Sequence, residues 1–184
     1  MAFENLVKRA LADSAKQIFR VKAFSKVSIA DICDNAGVSR RSFYTHFKDK
    51  YDLVNEVFYE EYHSKFNFNN HADPIWTRFQ TCCEYVYADR AYYKNVLSVT
   101  GTNSLSEYGA ELLYPEVVGY YGEILETNPI TNRCLEMFLK LLFVLIHDWL
   151  NTNPCITPDK FTEKVKGAFY EFFHSYIDKL DENA

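Results

Sequence analysis

The chain has 184 residues, of which 48% are hydrophobic, and this composition excludes a disordered chain while allowing one or two domains with packed cores. Its net charge of −5 is unevenly divided: residues 1–50 hold ten Lys or Arg and five Asp or Glu, whereas residues 51–184 hold ten and twenty. A basic segment on an acidic body indicates a module that faces phosphates, attached to a body that does not.

Sequence signals for secretion, membrane insertion and crosslinking are missing. No basic segment followed by an apolar run opens the sequence, and the longest apolar stretch, residues 134–150, is interrupted by charged residues. The five cysteines match no disulfide or zinc spacing, so we expect free thiols, no metal and no cofactor. These observations predict a cytoplasmic protein without a membrane span.

Apolar residues recur at helical spacing along nearly the whole chain, which predicts an all-α protein of about nine helices, the first over residues 3–21. Clustered turn residues place a domain boundary near residue 69. We therefore predict an N-terminal helix-turn-helix domain over residues 1–50, a connecting fourth helix over 50–68 and a second helical domain over 69–184. Within the second domain, helices are predicted near residues 74–89, 90–99, 103–113, 115–126, 131–151 and 158–180.

The second and third helices are short and joined by a tight turn. Ser28 and Asp31 form a capping arrangement for a helix over 29–35, which ends at Gly37, the residue type best suited to a left-handed C-terminal position. Ser39 can cap the next helix. Two short helices joined in this way have the geometry of a helix-turn-helix, in which the N-terminal part of the second helix enters the major groove of DNA.

The residues around this turn resemble the DNA-binding domain of the TetR family of bacterial transcriptional regulators. The sequence SIADICDNAGVSRRSFYTHFKDKYDL (residues 28–53) carries the Ala-Gly-Val-Ser turn, the Phe-Tyr-x-x-Phe of the recognition helix and the Lys and Leu that follow it, all in family register. The resemblance is strong over residues 3–63, and beyond them it is one of size and helix layout.

The resemblance implies a role in DNA binding for nine residues. Arg41, Tyr44 and Arg40 match base-contacting positions, where arginine can pair with guanine through two hydrogen bonds. The positions implied to contact phosphates are Ser28, Ser39, Thr45, His46 and Lys50, and Ser42 shares their surface. The alternatives are that Tyr44 and His46 serve packing and that the two arginines form a solvated basic face.

The last two predicted helices are the expected dimer interface. Helix-turn-helix proteins commonly bind palindromic operators as two-fold dimers, and the helix ending near residue 151 is apolar on nearly every face. A four-helix bundle with two helices from each subunit would cover it. The predicted interface residues are Leu142, Leu145, Ile146, Trp149, Phe169, Phe172, Phe173 and Tyr176. The alternative is that both helices serve only their own core.

Aromatic residues concentrate in the middle of the chain and predict a pocket for a small effector, as the resemblance also implies. The predicted pocket residues are Trp76, Phe79, Tyr85, Tyr92, Tyr93, Tyr108, Tyr121 and His147. Such a lining would suit a planar or amphipathic ligand. The alternative is that these aromatic residues are core.

These features lead to one leading function and one alternative. The leading hypothesis is a repressor released from its operator when a small effector binds the second, ligand-binding and dimerisation domain. The alternative is a DNA-binding activator or co-regulator whose second domain docks a protein partner. An enzyme is not expected, because the sequence has no glycine-rich phosphate loop, no metal-binding His-Glu pair and no nucleophile beside a base, so no catalytic residue is predicted.

Overall fold

A computed structural model describes residues 2–65, 75–121 and 129–181, and these residues form nine α-helices, one 3-10 turn and no strand. The helices are α1 (Ala2–Phe19), α2 (Ile29–Ala36), α3 (Arg40–His46), α4 (Lys50–Lys65), α5 (Ile75–Ala88), α6 (Arg90–Val96), α7 (Leu105–Tyr121), α8 (Pro129–Asn151) and α9 (Pro158–Asp181), and the 3-10 turn is Phe24–Lys26. The predicted all-α class with about nine helices is confirmed. None of the described helices is long and apolar enough to cross a membrane.

The predicted boundaries of α2 and α3 are confirmed by their capping geometry. The Ser28 hydroxyl accepts a hydrogen bond from the backbone N–H of Asp31, and the Asp31 carboxylate accepts one from the backbone N–H of Ser28. Gly37 has φ 66° and ψ 30°, the left-handed conformation that ends α2. Ser39 caps α3 by accepting from the backbone N–H of Ser42. The turn between the two helices is therefore set by residues close together in the sequence.

Helix α7 differs from the prediction, which placed separate helices on the two sides of Pro115. The helix runs through this proline, although an internal proline removes one backbone hydrogen bond. Residues on both sides of it are buried against α8, because Ala110 and Val117 pack on Leu139. Tertiary packing of both halves outweighs the local preference of proline to end the helix.

One hydrophobic core joins the N-terminal helices to the rest of the described chain. It runs from Phe19 and Ile32 through Phe58 of α4 to Ile146 and Leu150 of α8. The buried hydroxyl of Ser14 links α1 to α2 by donating to the backbone oxygen of Ile32. The predicted domain boundary near residue 69 lies outside the described residues and stays a prediction.

Candidate DNA-binding surface and effector cavity

Helix α3 has one buried face and one exposed face. Phe43 is fully buried and Phe47 nearly so, and both anchor the helix on the core. Arg40, Arg41 and Thr45 are exposed, and Tyr44 is 59% exposed, with its ring against the edge of Phe43. Two guanidinium groups, a phenol and a hydroxyl therefore point outward from one short helix. This is the set of donors that a major-groove reading helix needs.

The hydroxyl groups predicted to contact DNA lie at the two helix starts and along α3. Ser28 and Ser39 are exposed caps, and each already makes local hydrogen bonds, the Ser28 hydroxyl donating to Asp31 at 2.6 Å. Ser42 is partly buried and lies 2.9 Å from the Ser39 hydroxyl. The hydroxyl of Thr45 donates to the backbone oxygen of Arg41. The first backbone N–H groups of a helix have no partner within the helix, and donors of this kind at the starts of α2 and α3 can bind phosphates.

The carboxylate of Asp31, which caps α2, is stabilised in its charged form. Hydrogen bonds from the hydroxyl and backbone N–H of Ser28 lower the pKa of Asp31. The carboxylate therefore stays charged near neutral pH, where it holds the start of α2. His46, another predicted phosphate contact, is half-buried with its ring beside Phe47.

Lys50 has a different position from the one predicted. Its ammonium donates to the backbone oxygens of Phe24 and Val27, each at 2.7 Å, and lies 4.4 Å above the Phe24 ring. Burial lowers the pKa of this ammonium. These contacts fasten the 3-10 turn to the start of α4, and the predicted phosphate contact of Lys50 stays a prediction.

Part of the positive charge of residues 1–50 is also directed inward. Arg20 makes two hydrogen bonds of 2.8 Å to Asp89, Lys16 contacts Glu61 and Asp89, and Lys8 pairs with Glu56 at 2.9 Å. These cations bind acidic groups of α4 and of the residue before α6. Three other cations missed by the sequence reasoning are exposed near the reading surface: Lys22, Lys26 and Lys48. Residue type does not separate the two sets, because what distinguishes the first set is its acidic partners in α4 and before α6.

Comparison with known proteins fits this geometry. Residues 11–57, which run from the middle of α1 to the middle of α4, match the sequence model of bacterial regulatory proteins of the tetR family. A TetR transcriptional regulator from Streptococcus agalactiae superposes with a TM-score of 0.65 at 14% identity, covering 89% of this chain and 93% of that one. Residues 11–57 therefore carry the N-terminal domain of tetR-family regulatory proteins, and the resemblance found in the sequence is confirmed. These matches support a DNA-binding transcriptional regulator.

Two further structures share the fold over most of their length. NalD of Pseudomonas aeruginosa, the secondary repressor of the MexAB-OprM multidrug efflux pump, has a TM-score of 0.54 at 21% identity, covering 91% of this chain and 96% of its own. DhaS, a dihydroxyacetone kinase operon activator, has a TM-score of 0.59 at 12% identity, covering 90% and 94%. No curated protein sequence matches the chain significantly. The family and these structures are regulators rather than enzymes, and members of the family usually act as dimers.

The part of the chain beyond the matched domain contains a cavity of about 420 Å³, which α4 also lines. It lies among α4, α5, α7, α8 and α9, and nearly all of its wall is apolar. The lining residues are Tyr62, Trp76, Arg78, Phe79, Cys82, Leu113, Glu116, Val117, Cys134, Leu135, Phe138, Leu139, Leu142, Phe143, Ile146, Phe169 and Tyr170. Burial raises the pKa of the Cys82 thiol to about 12, so this part of the wall is uncharged.

The predicted pocket residues divide into two groups. Trp76 and Phe79 line the cavity. Tyr92 and Tyr93 are instead fully buried core residues, and the Tyr93 hydroxyl donates to Glu61 at 2.8 Å. These two tyrosines are corrected: they fasten α6 to α1 and α4 and contribute nothing to the cavity wall.

The other predicted pocket residues also lie away from the wall. Tyr85 and Tyr108 pack against the core without lining the cavity. His147 lies near the end of α8, where it contacts Asp148 and Asn151. The side chain of Tyr121 lies outside the described residues. The aromatic concentration in the sequence therefore marks a core, as the alternative interpretation held for most of these residues.

A small polar cluster closes one part of the cavity. The Tyr62 hydroxyl and Nη1 of Arg78 both donate to Oε2 of Glu116, each at 2.9 Å. Burial, followed by the charge of Glu116, raises the pKa of the Tyr62 hydroxyl, so it stays protonated and acts as a donor. The cluster connects α4, α5 and α7. Sequence reasoning missed all three residues, although Arg78 and Glu116 are charged positions within otherwise apolar stretches.

The predicted interface residues lie mainly inside the protomer. Leu142, Ile146 and Phe169 line the cavity, and Leu145 is half-buried. Trp149 is buried, since its indole stacks on Phe161 and Tyr87 and its N–H donates to the backbone oxygen of Ile156. The side chains of Phe172, Phe173 and Tyr176 lie outside the described residues.

A different face of α8 is exposed. Met137, Leu141 and Val144 are 62%, 49% and 47% exposed, and Tyr170 of α9 is 49% exposed. The first three recur at i, i+4 and i+7 and so form one apolar stripe along the helix. Trp149 and Ile146 pack inward in the protomer while these three residues of α8 point outward, and the predicted interface residues stay a prediction.

Proposed function

We propose that this regulator is a repressor that binds a palindromic operator as a homodimer and is released by a small-molecule effector held in the cavity. The observation that carries the proposal is the contact between the cavity and α4. This helix begins four residues after α3 ends, and its Tyr62 belongs to the cavity wall. A ligand in the cavity therefore contacts α4, the helix that follows the helix-turn-helix of α2 and α3, which we call the reading head.

The reading roles proposed for DNA follow the exposed face of α3. Arg41, Tyr44 and Arg40 contact bases, while Ser39 and Thr45 contact the backbone. Ser28, Ser42, His46 and Lys50 complete the sequence-based set, and the exposed ammonium groups of Lys22, Lys26 and Lys48 add positive charge for phosphates. Phosphate contacts of this kind fix position and base contacts fix sequence.

The dimer is proposed to form through the exposed stripe of α8 together with α9. Isolated exposed apolar residues are common, but three in one stripe along a helix favour an interface. A two-fold dimer places two reading heads on one palindromic site. Within this dimer the proposed effector would act by favouring a head spacing that fits the operator poorly, with a coupling of about 1–3 kcal/mol.

The experiment is fluorescence anisotropy of a labelled fragment of the upstream intergenic DNA, titrated with the full chain at several salt concentrations. We expect sequence-dependent binding that weakens steeply as salt rises, because cations on the protein release counterions from the phosphates. Binding that is equal for the fragment and for scrambled DNA of the same composition would contradict a specific regulator.

An activator role is the second candidate, and DhaS, a fold relative, is described as an operon activator. The two roles are separated by deleting the gene and measuring transcription from the bound promoter. A repressor predicts that transcription rises, and an activator predicts that it falls. Whether a small ligand is involved is tested independently by ligand-dependent thermal stabilisation of the full chain.

A further inference from the structure

Helix α7 has a buried glycine, Gly109, which lies directly against the ring of Phe143 of α8. A Cβ atom at this position would lie 2.7 Å from Cε1 of Phe143, 2.8 Å from Cε2 and nearer still to Cζ. Carbon atoms that are not bonded to each other pack at about 3.5 Å or more. Any side chain at position 109 therefore requires the Phe143 ring to move back by roughly 1 Å.

The Phe143 ring contacts both this glycine and the cavity. It belongs to the cavity wall and is almost completely buried, so it is packed on most of its sides. It also meets the ring of Phe58 of α4 at a centroid distance of 6.0 Å, and Phe58 is itself buried and stacked on Tyr62. Close-packed neighbours of this kind yield only with strain, whereas the cavity offers free volume. A ring that is pushed away from α7 therefore takes room from the cavity.

We propose that Gly109 is a specificity-determining residue, which sets the largest effector that the cavity accepts by giving the Phe143 ring room against α7. This inference rests on the proposed function, because it concerns the effector of the same cavity. A glycine inside a helix is less favourable than alanine, and at position 109 this loss of helix propensity is accompanied by a larger cavity. Because nearly all of the wall is apolar, the part of the effector that fills this room is apolar.

The test measures how binding depends on ligand length in the wild-type chain and in Gly109→Ala. The probes are n-hexanol, n-octanol and n-decanol, which differ only in their apolar chain, and their binding is measured by isothermal titration calorimetry. In the wild type we expect affinity to rise by up to about fourfold for each methylene group that is buried. In Gly109→Ala the displaced ring should exclude the end of the longer chains. The ratio of wild-type to variant affinity should therefore stay within about twofold for n-hexanol and reach at least about tenfold for n-decanol.

Gly119→Ala is the matched control, because it adds the same methyl group to the same helix. A Cβ atom at Gly119 meets nothing within 4 Å among the described residues apart from its chain neighbours, and Gly119 does not line the cavity. Both substitutions replace a helical glycine by a better helix former. Gly119→Ala should therefore keep the wild-type affinity for all three probes, so that a change confined to Gly109→Ala reports the contact with Phe143.

A second variant changes the cavity in the opposite direction and does not depend on the folding of Gly109→Ala. Phe143→Leu replaces the ring with a smaller side chain, so n-decanol should gain about threefold or more in affinity over the wild type while n-hexanol changes little. In the double variant Gly109→Ala/Phe143→Leu, the leucine leaves room for the added methyl group. The loss measured in Gly109→Ala should therefore largely disappear, which shows that the two positions are coupled.

The dependence on ligand length decides the inference. A merely structural role of Gly109 would weaken all three probes alike, so an equal ratio for n-hexanol and n-decanol in Gly109→Ala overturns it and leaves an effector cavity in place. Circular dichroism verifies that each variant is folded. If Gly109→Ala fails to fold, Phe143→Leu and the double variant decide, and an unchanged dependence on length in Phe143→Leu overturns the inference. If no probe binds the wild-type chain, the effector function itself fails and the inference fails with it.

Discussion

The hydrogen bond between Tyr62 and Glu116 offers a direct test of how the cavity communicates with the DNA-binding head. Tyr62→Phe removes the hydroxyl that joins α4 to α7 and keeps the ring, which is 1% exposed and stacks on Phe58. A hydrogen bond to a charged acceptor contributes about 1.5–3 kcal/mol, and Arg78 still satisfies Oε2 of Glu116, so we expect a loss of about 1.5 kcal/mol in the free energy of unfolding.

The chain contains a matched control for this substitution. Tyr93 is also a buried tyrosine whose hydroxyl donates to a carboxylate, Oε2 of Glu61, at 2.8 Å, but it lies away from the cavity. Tyr93→Phe removes the same atom from a similar environment and leaves Glu61 paired with Lys16. The two variants should lose similar stability by urea denaturation, with equal slopes of free energy against urea concentration.

The two variants should differ in their response to ligand. Operator affinity is measured by anisotropy with and without the tightest-binding ligand, and ligand affinity by calorimetry. Tyr93→Phe should keep the wild-type ratio of operator affinities, whereas Tyr62→Phe should still bind ligand but release operator several-fold less. If Tyr62→Phe responds to ligand as the wild type does, the coupling does not pass through this contact.

Three further predictions concern the reading surface, the apolar stripe and the contact between head and body. Arg41→Ala should cost about 1–3 kcal/mol of operator affinity and relax discrimination at one base step. Lys48→Ala should weaken binding to all DNA sequences alike and lower the slope of log affinity against log salt concentration by about 1. Both are measured by anisotropy, and the same response from the two variants would contradict these roles. Leu141→Glu should give a monomer by sedimentation velocity, and an unchanged dimer would exclude this stripe from the interface. Burial raises the pKa of Asp89, but its hydrogen bond from Arg20 and the nearby Lys16 outweigh this and lower it. Its stabilising contribution is therefore present above the unfolded pKa of about 4 and is lost as pH falls through the lower folded value. Asp89→Asn should destabilise the chain at pH 7, and this loss of stability should shrink progressively as pH falls below about 4 in urea denaturation.

The reading head could be predicted because local chemistry decides its geometry. The capping of α2 depends on two residues three positions apart, Ser28 and Asp31, and its end depends on the conformational freedom of Gly37. The burial of Phe43 and Phe47 follows from their spacing on one helical face. These features depend only on residues that lie close together in the sequence, so the sequence alone predicts them.

The cavity could not be predicted in the same way because its wall is assembled from distant segments. Tyr62 and Glu116 are 54 positions apart and Arg78 and Glu116 are 38 apart, yet they share one hydrogen-bonding cluster. The sequence shows many tyrosines in the middle of the chain but does not show which of them face a void. Tyr92 and Tyr93 pack in the core because α6 lies between α1 and α8, a tertiary arrangement with no local signal.

The position of α4 explains why one helix can couple the two ends of the molecule. Its successive residues Glu61 and Tyr62 point about 100° apart on a helix, so they reach different neighbours. Glu61 contacts Lys16 of α1 and Tyr93 of α6, while Tyr62 contacts Glu116 at the cavity. A ligand that moves Glu116 pulls on Tyr62, and a rotation of α4 that follows Tyr62 changes the distance from Glu61 to Lys16. Since Lys16 belongs to the helix against which α2 and α3 pack, we propose that adjacent positions of α4 link the occupancy of the cavity to the orientation of the helix-turn-helix.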